Sequence, residues 1–239
     1  MYYFIHLSTN KFIMDTSKFA IRLHEARLMM GLSMEKLAEL TGGIITKQSI
    51  SRYEKGLMLP KRAAKLAMAK ALNISYNYFD GTNISIDMPM LRTTAGGNLS
   101  DDVLHSLEAK LSFWAEQYLV KEQKAQIRNT FTNPLSGMSV FTKEDAILAA
   151  NHLRQCWHCG DGPIPSILRL LERKGIKILS TPLPDNVYGL STWADNTHPL
   201  IVIDIREDKT TVERLRFTAG HELAHLLLTF PKESKYSIE

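Results

Sequence analysis

Cysteine is scarce in this chain of 239 residues, which has only Cys156 and Cys159. A disulfide-stapled scaffold is thereby excluded, and the lone C-x-x-C pair lacks the two further nearby ligands of a zinc knuckle. What remains for it is a redox dithiol or, by default inside a cell, two reduced structural thiols. Long apolar runs are missing too. Nothing approaches the roughly 18 residues of a membrane helix, so no span is expected. The opening Met1-Tyr-Tyr-Phe-Ile-His-Leu has neither a basic n-region nor a small-residue cleavage site, which argues against secretion and for a cytoplasmic protein. Met14-Asp-Thr-Ser reads as an alternative start, so residues 1–15 are expected to be a disordered or short leader. The remaining composition, 44% hydrophobic and 23% charged, is that of one or two ordinary globular domains.

Charge is unevenly spread. Residues 1–82 hold twelve Lys and Arg against six Asp and Glu, whereas residues 83–239 hold seventeen against nineteen, so a front of +6 is followed by a back of −2. A basic front suits a polyanion, although a solvated charged face explains it as well. The pattern within residues 16–80 favours nucleic acid. Phe19, Leu23, Ala26 and Met30 follow helical spacing and stop at Gly31, and Ser33 caps a second short helix with Leu37 and Ala38. After Gly42-Gly43, Thr46 caps a third helix over 47–55 that Gly56 closes. Pro60 precedes a fourth with Ala64, Ala67, Ala71 and Leu72 inward, and Ser75 caps a fifth through Tyr78 and Phe79.

Five short helices with Gly31-Leu-Ser33, Leu37-Ala38, Gln48-Ser49-Ile50-Ser51-Arg52-Tyr53-Glu54-Lys55-Gly56 and Pro60 resemble the helix-turn-helix of the phage-repressor (XRE) family. The turn Gly42-Gly43-Ile44-Ile45 is about two residues longer than that resemblance implies. Ile50 and Tyr53 face the core of such a helix, which leaves Lys47, Gln48, Ser49, Ser51 and Arg52 for the DNA groove. Gln can pair with an adenine edge and Arg or Lys with guanine, while Lys55, Lys61 and Arg62 suit phosphates. A helical bundle used for protein contacts is the competing reading. One such domain reads a short half-site, so a homodimer on double-stranded DNA is expected.

Gly81-Thr-Asn, Met88-Pro-Met and Thr93-Thr-Ala-Gly-Gly-Asn break periodicity, so residues 81–100 read as a linker. Leu104, Leu107, Leu111, Trp114, Ala115, Tyr118 and Leu119 then stripe a long helix to Arg128, which serves either as a dimer seam or as packing on its own domain. Helices over 144–154 and 164–174 and brief strands over 177–180, 189–193 and 200–205 follow.

The richest stretch is Arg216-Phe217-Thr218-Ala219-Gly220-His221-Glu222-Leu223-Ala224-His225-Leu226-Leu227-Leu228. His-Glu-x-x-His puts His221 and His225 on one helix face one turn apart, where two imidazoles share a cation such as Zn²⁺ and Glu222 can serve as general base on a water. A solvated face bearing two histidines and a glutamate is the other reading. The apolar neighbours Ala219, Leu223, Leu226 and Leu227 weigh against it, because burying such groups without partners is costly.

Together with Leu171-Glu172-Arg173-Lys174-Gly175-Ile176, Gly189-Leu190-Ser191 and the strand before it, this stretch resembles the ImmA/IrrE family of bacterial and phage metallo-endopeptidases over residues 140–239. The resemblance implies a third zinc ligand, a glutamate in Glu-x-x-Ala-Asn on the next helix. The chain ends fourteen residues after His225, and Glu233 and Glu239, the only later carboxylates, do not stand in that pattern. Pro231 likewise excludes a metzincin histidine. The third ligand is therefore expected beyond residue 239, with the domain over 101–239 truncated. The edge strand carrying Gly189-Leu190-Ser191 is expected to hold an extended peptide.

The expectation is a multidomain protein, an all-α helix-turn-helix bundle over 16–80 followed by an α+β zincin-like domain with a small sheet. The resemblance implies a regulator that cleaves another regulatory protein, such as a repressor. Two alternatives stand beside it: a transcription factor whose zincin-like domain senses a ligand or metal without cutting, and a repressor controlled by its own cleavage near residues 81–100.

Overall fold

The structure, a computed structural model, describes residues 2–81, 84–88, 99–127, 131–208 and 210–230, with side chains from Thr16 onward. Arg128, Pro231, Glu233, Glu239 and the Thr93-Thr-Ala-Gly-Gly-Asn stretch lie outside the described residues. The chain divides into two compact units, one of Met1–Ile84 with Ser100–Val120 and one of Ser85–Leu99 with Lys121–Glu239. No helix among the described residues is long and apolar enough to cross a membrane.

In the first unit, α1 spans Tyr2–Met29 and takes in the stretch expected to be a leader. No glycine or proline interrupts it, so nothing local stops the helix before Gly31. There the φ of +63° and the Gly31 N–H to Leu28 and Leu32 N–H to Arg27 carbonyl bonds close it as a Schellman turn. Met30, which continues the helical spacing of Phe19, Leu23 and Ala26, is 45% exposed because it lies past that end. The helices α2 (Met34–Leu40), α3 (Lys47–Glu54) and α4 (Arg62–Ala71) follow, then a 3-10 turn at Tyr76–Asp80. Ser33, Thr46 and Ser75 each cap the element they precede, accepting from Lys36, Ser49 and Asn77 N–H. The core joins Phe19, Leu23, Ala26, Leu37, Ile50, Met68, Leu72 and Phe79, all buried, each larger side chain contributing about 1.5–3 kcal/mol.

Helix α5, Asp101–Lys124, was expected to belong wholly to the second domain, but its residues up to Val120 group with the first unit. Buried Arg22 on α1 is the reason. Its Nη2 donates to Glu116 Oε2 at 2.6 Å, its Nε donates to the Tyr78 carbonyl at 2.9 Å, and its guanidinium lies 3.7 Å from the Tyr78 ring centroid. A lone buried arginine would be costly, so Glu116 is held in place. Phe113 packs on the same core, against Tyr78 at 5.4 Å, which settles that part of the stripe as packing within the unit.

In the second unit, α6 (Lys143–Cys156) begins with a capping box between Thr142 and Asp145. Helix α7 is shorter than its periodicity suggests, Ile167–Arg173, because Pro165 precedes it and Ser166 caps it. A three-stranded sheet, β1 (Lys177–Ser180), β2 (Gly189–Ala194) and β3 (His198–Ile203), has the order β1-β3-β2, with β1 parallel and β2 antiparallel to β3. The β2–β3 hairpin turns through the three residues 195–197, of which Asp195 and Asn196 are at positive φ, and Thr197 N–H donates to the Ala194 carbonyl at 3.2 Å. Helix α8, Val212–Leu227, is capped by Thr211 and lies on β2 and β3. Leu171, Ile176, Ile201, Ile203, Ala219, Leu223, Leu226 and Leu227 form the core beneath it.

Candidate functional site

The two candidate sites lie in different units. In the first, α2, the turn and α3 form a helix-turn-helix whose turn requires glycine, since Gly42 and Gly43 sit at φ +69° and +77° in succession. Ile45 buries itself at the end of the turn, and Ile50 and Tyr53 follow on α3, so the inward face is the one expected. Lys47, Gln48 and Arg52 are exposed, and Ser51 is half-buried between them on the same face. Ser49 is half-buried and its hydroxyl lies 3.1 Å from the capping hydroxyl of Thr46, so it belongs in part to the cap. Lys47 forms an ion pair with Glu35 across the turn. Lys55, Lys61 and Arg62 are exposed.

The second site is built on α8. His221 and His225, one turn apart, bring their Nε2 atoms to 3.1 Å, with ring centroids 4.8 Å apart and planes at 77°. That separation is close to the roughly 3.3 Å between two nitrogens each about 2.05 Å from one tetrahedral ion, so the pair fits Zn²⁺. Partial screening from water, and then the neighbouring His221, hold His225 below the usual histidine range. Glu222, only 7% exposed, turns inward toward the sheet. Burial pushes its carboxyl up to about 7, against the opposing hydrogen bond donated by Ser191.

The close fit of helix and strand explains Gly189. A Cβ there would lie 2.5 Å from Thr218 Cγ2, 3.1 Å from Glu222 Cγ and 3.2 Å from Glu222 Oε1. Gly189 and Ser191, two apart on β2, therefore share the face that meets Glu222. Their motif was legible in the sequence, but their contact with Glu222 was not. Phe217, named in the stretch but given no role there, lies one turn before His221, stacks on that ring at 6.3 Å and 26° and is 75% exposed. Its i, i+4 spacing from His221 was the available signal. Among the described residues, no group of three or more His, Cys, Asp or Glu gathers in a metal-holding arrangement, so the two imidazoles stand as a pair.

The C-x-x-C pair lies elsewhere in this unit. Cys156 is exposed at the end of α6, with its Sγ 3.5 Å from His152 Nε2, while Cys159 is half-buried against the core.

Comparison with known proteins bears on the first site. No curated protein matches the chain. A solved structure, the HTH_3 family transcriptional regulator from Vibrio cholerae, is 26% identical over 34% of this chain and 53% of that one, with a TM-score of 0.27. The matched part thus spans about half of that regulator's length. The helix-turn-helix family HTH_3 matches residues 23–79, the segment that holds α2, α3, α4 and the buried anchors Leu23 and Phe79. Residues 23–79 are an HTH_3 (XRE-type) helix-turn-helix domain, the kind of domain that binds double-stranded DNA.

Proposed function

We propose that the chain is a DNA-binding transcription regulator whose second unit is a zinc-dependent endopeptidase of the ImmA/IrrE kind, cleaving a repressor or another regulatory protein. One observation carries the peptidase reading: two imidazole nitrogens 3.1 Å apart beside a buried carboxylate on the same helix. In the DNA-binding unit, Gln48 and Arg52 read base edges in the major groove, Lys47 and Ser51 flank them, and Ser49 steadies the helix start. Lys55, Lys61 and Arg62 hold phosphates. A homodimer supplies the second half-site.

In the second unit, His221 and His225 would hold the ion, their Nε2 atoms already 3.1 Å apart. Zn²⁺ bound there supplies Lewis-acid polarisation of a carbonyl and a more acidic water. Glu222 takes the proton of the attacking water at its carboxylate and returns it to the departing amine nitrogen. Ser191 donates to that carboxylate and fixes its direction. Gly189, lacking a side chain, lets α8 and β2 approach closely enough for the contact.

The test uses Glu222→Gln, which keeps the shape and removes the base. Cleavage of a co-expressed regulator should be lost while zinc and operator binding persist. A second reading keeps the metal but not the cut. In it, zinc on His221 and His225 would take a small ligand in place of a peptide. Unchanged regulator fragments with Glu222→Gln, or no cleavage by the wild type under inducing conditions, would favour the sensor.

A further inference from the structure

The outer edge of β2 is shared with a segment that the sequence presents as linker. Residues 85–87 run antiparallel to the C-terminal end of the strand, with Ile86 opposite Ala194. Asp87 N–H donates to the Trp193 carbonyl at 3.1 Å, and Asp195 N–H donates to the Ser85 carbonyl at 2.9 Å. Side chains reinforce the pairing. The Asp195 carboxylate accepts from Ser85 N–H at 2.9 Å and from the Ser85 hydroxyl at 3.1 Å, and the Thr192 hydroxyl donates to the Asp87 carbonyl. Ile86 itself is buried.

Hydrogen-bonding direction alternates with period two along a strand, so one parity of β2 faces β3 and the other faces outward. Trp193 and Asp195 face outward, toward residues 85–87. Ser191 and Gly189 have the same parity and turn their N–H and C=O groups to the same edge. These are also the two residues set against Glu222. The edge that reaches the buried carboxylate is therefore continuous with the edge the chain has begun to fill.

We infer that residues 85–87 are an internal occupant of the outer edge of β2, competing for positions 193–195 with an extended peptide that adds antiparallel to that edge. A partner confined to residues 189–191 binds beside the internal strand. One long enough to reach Ala194 must displace it. The internal pairing rests on a few bonds at the rim of the unit, so it opens at far less cost than unfolding the sheet. What the edge is for rests on the peptidase reading, but the competition does not. Simple protection of an exposed edge against aggregation is the rival explanation, and it requires no competition.

The experiment uses the full chain and a fluorescently labelled synthetic peptide, Ile-Ser-Ile-Asp-Met, which copies residues 84–88. Ser85→Pro removes the N–H and the hydroxyl given to the Asp195 carboxylate, and Asp87→Pro removes the N–H donated to Trp193, so both change the internal strand and leave the edge itself intact for the peptide. Both variants should bind the peptide at least about tenfold more tightly than the wild type. Hydrogen exchange at the Asp195 amide should be slow in the wild type, faster by about tenfold or more in Asp87→Pro, and slow again when peptide is added. Peptide binding no tighter in a folded Asp87→Pro than in the wild type would overturn the inference, as would a freely exchanging Asp195 amide in the wild type. Both readouts are independent of cleavage. Their failure leaves the role of Glu222 standing, and loss of the peptidase reading leaves the competition standing.

Discussion

Arg27 grips both carboxylate oxygens of Glu54, Nε to Oε1 at 2.6 Å and Nη2 to Oε2 at 2.8 Å, and so ties α1 to the last residue of α3. Arg27 also donates to the Leu32 carbonyl at 2.9 Å, and His24 reaches Glu54 at 2.9 Å. The pair is nearly closed to water, at 9% and 5% side-chain exposure, so the placement of α3 depends on an interaction that screening weakens little.

Removing one partner leaves the other charge buried, and Glu54→Ala should cost about 3–5 kcal/mol of the first unit's stability. Burial alone would raise the Glu54 pKa, but hydrogen bonds from Arg27 and His24 outweigh it and hold the carboxyl below its ordinary range. A depressed carboxylate stabilises the fold fully above its unfolded pKa of about 4.3 and loses that contribution as pH falls through the folded value. Urea midpoints at about pH 7 and about pH 3.5 should therefore differ more in the wild type than in Glu54→Gln. Equal differences would remove Glu54 as an acid-sensitive tie.

On the proposed DNA face, exposed Arg52 and Gln48 should act on specificity, and exposed Lys61 on affinity alone. Arg52→Ala and Gln48→Ala should each weaken operator binding by about 1–3 kcal/mol and narrow the gap to non-specific DNA. Lys61→Ala should weaken both sequences alike and reduce the salt slope by about one. Titrations of both duplexes at several salt concentrations distinguish these outcomes.

The turn before α3 holds two consecutive residues in left-handed conformation, Gly42 and Gly43, with nothing within 4 Å of either prospective Cβ. Alanine at either position meets no clash but keeps the backbone penalty, so each substitution should cost about 1 kcal/mol in thermal unfolding of the first unit. Substitutions without effect would mean that the turn takes another conformation in solution.

Gly189→Ala should fail for the opposite reason, a steric one. Its Cβ would press on Thr218 Cγ2, costing about 1–3 kcal/mol or moving α8 off the strand. Thr218→Ser deletes that methyl group, so the double variant should recover part of the loss in chemical denaturation. No recovery would mean that the contact with Glu222 dominates.

Local signals carried far in this chain. The caps Ser33, Thr46 and Ser75 could be read because a capping hydroxyl and the N–H it accepts from stand two or three residues apart, whereas Ser166 was passed over inside an expected helix. His221 and His225 were visible for the same reason, being one helical turn apart. Long-range partners were not visible. Ser85 and Asp195 are 110 residues apart, and Arg22 and Glu116 are 94 apart. In the sequence, residues 85–87 sit among turn formers and read as linker, and the stripe on α5 does not reveal which unit it serves. Gly189 stood out in a motif, but its reason, the proximity of Thr218 and Glu222, exists only once α8 lies on β2.

The most direct test of the peptidase reading is zinc stoichiometry and affinity, measured by competition with a chromophoric chelator. One ion per chain is expected in the wild type and in Glu222→Gln, with binding lost in His221→Ala and in His225→Ala. Histidine variants that hold zinc as tightly as the wild type would contradict a shared site on α8.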